Sequence, residues 1–465
     1  MTAIATNKLK RFFVNKLFED IGDSNQRYYL GIGESQDWDS SDTPPIPVQS
    51  AKEERNARTK LQSIKSAETF SFVVPRYNWI SGTTYEAFDD SLASQTNYYV
   101  FTDENKVYMC LQQGKNSAGA ANTSTVKPTG ELRTPLTTTD GYVWQYLYTI
   151  SALRATQFVS ANFIPVQKID SVGAGADANE IKQKQIQDSA TKGEILGIKI
   201  TNAGQGYTGA PTVVINGRGT DSNGVGISNP KKVASATATI SGGAVVKIEM
   251  NDSGSGKAYG AGYDFANVTL TGGGGTGAKA TPILSLDSGV GADPRKDLRS
   301  FGIMFNAKLQ GNESNKFIIG NDFRQVTIIK NPKVPVTGAP VVAATELGLR
   351  SLKFATVTQN FTKDRRIQGI SSGAVAYVDN FDSTRLYYHQ TEETGFKQFV
   401  EAETIQETNG NGEGVLQPTA TDADSDAYTE SGIDIATGEV LFIDNRAAVT
   451  RASGQTEDIK VVVQL

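Results

Sequence analysis

The chain is predicted to be mainly β: a discontinuous β-sandwich core with few short helices and two small inserted β modules. Three observations predict this. The composition joins 38% apolar and 20% charged residues to 46 glycines, which suits many strands and turns better than long helices. Residues Asp140 to Thr149 crowd Tyr142, Val143, Trp144, Tyr146, Leu147 and Tyr148 behind an Asp-Gly turn, the pattern of a strand buried on at least one face. Past residue 170 the vocabulary changes to glycine-punctuated β segments that duplicate each other.

In chain order, Leu9, Phe12, Phe13 and Leu17 fall at helical spacing. A helix over about 7–20 should lay them against a body or a partner. Arg27 to Ile32 reads as a strand, and Thr43-Pro44-Pro45-Ile46-Pro47 as an extended link, because proline fixes the backbone and lacks an amide hydrogen. Residues 51–65 are charged and rich in helix formers, and strand character resumes at Phe70 to Val74. Tyr98 to Phe101 and Val107 to Leu111 flank the turn Asp103-Glu104-Asn105 as a hairpin. The polar stretch Gly114 to Pro135 reads as an exposed loop.

The duplication matches Ile198 to Tyr207 with Ile248 to Gly256, an offset of 50 residues between Gly204 and Gly254, with Gly262-Tyr263 displaced by a short insertion. Pro211 to Ile215 then matches Asn267 to Leu270, and each copy ends in a Gly- and Ala-rich strand. Two units are too few for a free-standing solenoid, so they should pack as one small module over 193–288, tethered by polar residues 170–192. A second module is expected over 340–430. There Gln368 to Val378 alternates as a strand pair around glycine, Leu386-Tyr387-Tyr388 and Phe399-Val400 add short strands, and Glu407 to Ser425 forms a mobile loop. The core is then 1–169, 289–339 and 431–465.

Composition bounds the chemistry. A net charge of −5 and an isoelectric point near 5.3 offer no excess of cations to displace phosphate counterions, so nucleic acid is not an expected partner. The lone cysteine, Cys110, has no intrachain disulfide partner, and no apolar run reaches the roughly 18 residues that cross a bilayer. Folding in a reducing cytoplasm and no membrane insertion are the expectations. The single histidine, His389, limits imidazole catalysis and reads as structural or exposed.

Weak motifs are outweighed by simpler readings. Asp422 to Asp426 begins like a calcium loop, but Ala427 and Ile433 stand where glycine and a bidentate glutamate are needed. Gly272, Gly274 and Gly277 fit G-x-G-x-x-G, yet a strand rather than a helix is expected to follow over Ala278 to Leu284. No catalytic residue, metal ligand or cofactor is assigned. Trp38, Trp79, Trp144, Tyr77, Tyr85 and Tyr142 suit a sugar-lined groove chemically, but core and interface packing is the better reading.

Short segments resemble a known family in one consistent order. Asp140-Gly141-Tyr142-Val143-Trp144 is similar to its "DGYVW" strand, and Gly33-Glu34-Ser35-Gln36-Asp37-Trp38 to its glycine, serine and tryptophan segment. Val74-Pro75-Arg76-Tyr77-Asn78-Trp79 with Thr84-Tyr85 resembles "IPR-x-x-W", and Val107 to Leu111 resembles "VYRCL". Phe323 to Pro332 looks like "FRQISIITNP", and Gly438 to Arg446 with Gln455 to Lys460 looks like its last two strands. The family is the baseplate wedge subunit encoded by gene eight of T-even-type contractile-tailed phages. The matches span roughly 1–165, 295–335 and 431–465, leaving both modules outside them.

The resemblance implies a non-enzymatic structural protein of the virion. It would be a homodimer in each baseplate wedge, assembled in the host cytoplasm and gripping other wedge proteins. It carries over no catalytic residues. Trp38, Pro75, Arg76, Trp79, Trp144, Arg324, Asn331 and Arg446 are the motif positions, expected as scaffold or contact residues. The alternatives are a tail-associated glycan depolymerase acting through a carboxylate pair, or an adhesin whose two modules touch the host surface.

Overall fold

A computed structural model describes residues 5–67, 69–92, 94–220, 226–227, 230, 232–254, 256–418 and 427–464. The protein is mainly β: strands take 40% of it and helices 11%, with five short helices among the described residues. The chain forms two compact units, one of residues 1–14, 71–303 and 464–465, the other of 15–70 and 304–463. The 193–288 segment falls within the first and 340–430 within the second.

In the first unit the aromatic strand Val143–Thr149 sits between Lys106–Gln112 and Leu136–Thr137, with Tyr99–Phe101 beyond, in one antiparallel sheet. The hairpin expected from Tyr98 to Leu111 and the buried strand behind Asp140-Gly141 are both present. Gly141 holds φ +88°, the left-handed conformation that the turn requires. The 170–192 tether contains a helix, Ala178–Asp188, capped by Asp177 and missed by hydrophobic periodicity for a physical reason. Its buried face is Gln183, Ile186 and Gln187, and the glutamines are satisfied by backbone: Gln187 bonds both Ile169 N–H and Ile169 C=O, and Gln183 donates to Gln167 C=O.

The duplicated segment folds by reciprocal exchange. Strand Ile195–Asn202 of the first copy pairs with Lys279–Leu284 of the second, Ala236–Ser241 of the first with Ala244–Met250 of the second, and the middle strands Thr212–Thr220 and Phe265–Thr271 with each other. Neither copy closes without the other, which is why two units suffice. Space also corrects the sequence offset. Ile200 opposes Ala280 as Met250 opposes Ala236, so the first strands keep the spacing of 50, but Gly204 is matched by Gly260, not Gly254. A Cβ on Gly204 would lie 2.5 Å from Ala278 N and 2.6 Å from Thr276 O, and one on Gly260 2.7 Å from both Ala234 N and Lys232 O. Strand does follow the glycine run, at Lys279–Leu284.

In the second unit five antiparallel strands lie in the spatial order Thr345–Leu347, Leu61–Ser66, Tyr28–Gly33, Asp322–Lys330 and Glu439–Thr450. Strands from the start, middle and end of the chain are thus neighbours. The helix-forming run 51–65 is helical only over Ala51–Thr59; Leu61–Ser66 is a strand, paired on both sides by Tyr28–Gly33 and Thr345–Leu347, with its first four residues all buried.

Residues 350–416 close into a ring of six antiparallel strands. Arg350–Gln359 pairs through its first half with Arg385–His389 and through its second half with Glu413–Leu416, and Val375–Phe381, Arg366–Gly369 and Thr404–Glu407 complete the circuit. Leu352, Phe354, Ile367, Val378, Leu386 and Ile405 fill the interior. Phe399-Val400 is not a strand, although Phe399 is buried in that core. The loop expected from Glu407 instead turns into strand Glu413–Leu416. Asp422 to Asp426 lies outside the described residues, while Ala427 and Ile433 are buried apolar positions.

The first helix, Asn7–Ile21, leaves most of its expected apolar face uncovered by this chain. Val14 and Ile21 are its buried positions, whereas Leu9, Phe12 and Phe13 are 45%, 53% and 53% exposed.

Candidate interaction surface and the motif residues

The eight motif residues divide four and four between the two units. In the first unit the carbonyl of Pro75 accepts a bond from Tyr99 Oη at 2.6 Å. Arg76 donates to Ser160 C=O and Asn78 Oδ1, both at 2.9 Å, and its guanidinium lies 5.2 Å from the Phe101 ring centroid. Trp79 donates from Nε1 to Ser124 Oγ at 3.1 Å and packs beside the buried cluster of Tyr85, Val100, Tyr108, Cys110, Tyr142, Trp144, Tyr146 and Ile186. Trp144 is fully buried, stacked on Tyr142 at 5.6 Å and edge-on to Tyr85 at 5.4 Å.

Asp140 explains why an acid opens this aromatic strand. Its carboxylate accepts from Thr125 N at 2.8 Å, Val126 N at 3.0 Å, Tyr142 N at 3.4 Å and Thr138 Oγ1. Desolvation pushes its pKa up, but these bonds outweigh it and hold the carboxyl below its ordinary value. The 114–135 stretch is irregular as expected, yet it is pinned at its centre: Ser124 is fully buried and Asn122 C=O accepts from Tyr142 Oη at 2.7 Å.

In the second unit Arg324, 4% exposed, gathers the segment that follows strand Tyr28–Gly33. It donates from Nε to Asp42 Oδ1 at 2.7 Å, from Nη1 to Ser35 C=O at 2.8 Å and from Nη2 to Asp37 Oδ1 at 2.5 Å. Trp38 is half-buried in the same segment and donates from Nε1 to the carbonyl of Arg446 at 3.0 Å. The Arg446 side chain makes a loose 3.9 Å ion pair with Asp444. Asn331, at φ +53°, donates its backbone N–H to Arg27 C=O at 2.8 Å, while its side chain accepts from Arg27 N and donates to Gln26 Oε1.

Tyr85, Tyr142 and Trp144 are therefore packing partners of one another, Tyr77 leans edge-on against Tyr99, and Trp38 belongs to the other unit. Cys110 is buried and burial pushes its thiol well above the ordinary range. His389 is buried, with Nδ1 2.7 Å from Asp379 Oδ2.

Two features escaped sequence reasoning. A groove of about 380 Å³ in the first unit is lined by Leu92, Leu111, Ile198, Lys199, Lys247 and Glu249, with Lys199 paired to Asp89 at 2.6 Å. Asp297 is fully enclosed, accepts from Gly291 N at 2.8 Å, and is raised by burial to about 8. Nothing in the local sequence distinguishes that acid from exposed ones. No family model matches the chain, and no curated protein matches it.

Asp297 has a measurable consequence. Its folded pKa lies above the unfolded value of about 3.9, so the unfolded chain releases the proton first. The contribution to stability is complete below pH ~4 and is lost as pH rises towards 8. Asp297→Asn keeps a neutral group in place and is expected to raise folding stability at pH 8 by an amount on the order of a few kcal/mol, and the melting temperature with it, with no gain at pH 4. Calorimetry at both pH values tests this; an equal effect at both contradicts a neutral Asp297.

Proposed function

We propose that this protein is a structural subunit of a phage tail baseplate wedge, which works by being gripped by neighbouring proteins. The observation that carries the reading is the first helix. Leu9, Phe12 and Phe13 stand about half exposed on one stretch of it, flanked by Lys8, Lys10 and Lys16. Clustered apolar side chains on a surface helix mark a protein contact. The ordered motif resemblance adds support, because its residues are spent on internal bracing: Trp144 inside an aromatic cluster, Arg324 inside a guanidinium knot. Such bracing suits a block that must hold its shape under load. The partners in this reading are a second copy and other wedge proteins, and the place is the tail baseplate.

The combined change Phe12→Ser with Phe13→Ser is expected to leave the melting temperature within about 2 °C, since exposed positions contribute little to stability. Incorporation into baseplates should fall at least tenfold, read as the amount of this chain in purified tail tips. Normal incorporation of the folded variant, or absence of the unaltered protein from virions, would sink the reading.

A further inference from the structure

We propose that His389 and Asp379 form a proton-controlled latch between the six-stranded ring and the five-stranded sheet of the second unit. This goes beyond the assembly role and does not rest on it.

The geometry starts from two neighbouring ring strands. Asp379 lies on Val375–Phe381 and His389 on Arg385–His389, where His389 pairs in register with Tyr377 and its ring lies 5.7 Å from the Tyr377 ring, nearly parallel. The Asp379 and His389 side chains are 1% and 5% exposed. One carboxylate oxygen of Asp379 meets His389 Nδ1 at 2.7 Å; the other accepts from Ser35 Oγ at 2.8 Å. Ser35 is 4% exposed, follows sheet strand Tyr28–Gly33, and gives its carbonyl to Arg324 on the neighbouring strand Asp322–Lys330. A single polar path therefore runs from the ring through Asp379 and Ser35 to Arg324 in the sheet.

Charge counting shows what a proton does there. Four ionisable groups meet at this junction: Asp379, His389, Glu34 after the sheet strand, and Lys60 at the end of helix Ala51–Thr59, with Lys60 bonded to Glu34. Tyr377 adds a phenol whose hydroxyl points to Glu393, and Asp364 and Arg324 stand further out. With His389 charged, the four groups are balanced, two anions against two cations. With His389 neutral, the buried site keeps one uncompensated negative charge on Asp379, the arrangement that low-polarity surroundings tolerate least. His389 Nε2 is buried with no hydrogen-bond partner among the described residues, whereas Nδ1 is held by Asp379.

The direction follows. Desolvation opposes a charged His389, but the adjacent Asp379 outweighs it and raises the pKa above 6.5. Stabilisation from the latch is complete below the unfolded value of about 6.5 and is lost as pH rises through the higher folded value. The ring is fastened to the sheet in mild acid and loosened in mild base.

Because the chain has one histidine, its imidazole NMR signal is unambiguous in the full-length protein. The expected result is a titration midpoint above 6.5. Hydrogen-exchange protection factors of the amides around Ser35 and in 375–389 should fall at least tenfold across the same interval. His389→Gln should flatten that pH response, and Ser35→Ala should reduce it while leaving the imidazole midpoint raised. A midpoint at or below 6.5, or protection that stays constant while the imidazole titrates, overturns the latch. Both measurements on the unaltered protein decide the matter even if either variant fails to fold.

Discussion

Trp144→Ala is expected to destabilise the first unit by about 3–5 kcal/mol, the range for deleting a fully buried large aromatic side chain. The change removes one corner of a three-ring cluster with Tyr142 and Tyr85, whose rings and hydroxyls fasten the adjoining segments. Tyr142 Oη holds the 114–135 stretch through Asn122, and Tyr85 Oη accepts from Ile80 N at 2.7 Å. Ile186 of helix Ala178–Asp188 loses its support as well, since it packs into the same cluster. Trp144→Phe should cost much less than the alanine change. It keeps a ring in the stack and removes the indole N–H, which is buried without a hydrogen-bond partner among the described residues and so costs folding energy. Denaturant melts followed by exchange protection of the 143–149 amides separate the variants. An unchanged midpoint for Trp144→Ala would contradict the core role.

The second large effect is expected at Arg324. Replacing it with methionine keeps the apolar stem but leaves the buried Ser35 C=O without its donor, at a cost of about 1–3 kcal/mol, and releases Asp37 and Asp42 from their shared partner. Lysine should recover little of this, because an ammonium cannot fork towards three acceptors at separate angles. The effect should weaken in acid. Asp42 is held below the ordinary carboxylate range, chiefly by its hydrogen bond from Arg324, so its contribution is present above the unfolded pKa and lost as pH falls through the folded one. Urea melts at pH 7 and pH 3 check both statements. Equal stability of the arginine and methionine forms at pH 7 would remove Arg324 from its bracing role.

Both sites show which parts of the chain were legible in advance. The strand at Val143–Thr149 and the hairpin around Asp103 to Asn105 were readable because each announces itself within about ten residues by side-chain type and turn chemistry, whereas the strands from Phe323 and Gly438 were expected only through the family resemblance. The helix Ala178–Asp188 was not, because its buried face is two glutamines and an isoleucine, and glutamine is apolar to no pattern rule. Leu9, Phe12 and Phe13 have helical spacing and lie on a helix, but spacing cannot say whether the opposing surface belongs to the same chain. His389 was a single letter whose meaning lay in Asp379 and Ser35.

By itself, the sequence determined that this is a mainly β protein, where the turns and most aromatic strands fall, and that residues 193–288 are an internal duplication. Those properties are local: backbone propensity, period and glycine placement act over a few residues. Tertiary structure alone decided that the two copies exchange strands, that residues 350–416 close into a ring, and that Arg324 and Asp379 both meet at Ser35. Those outcomes depend on which distant segments find each other, and the energy that selects them comes from burial and paired charges that no short window of sequence contains.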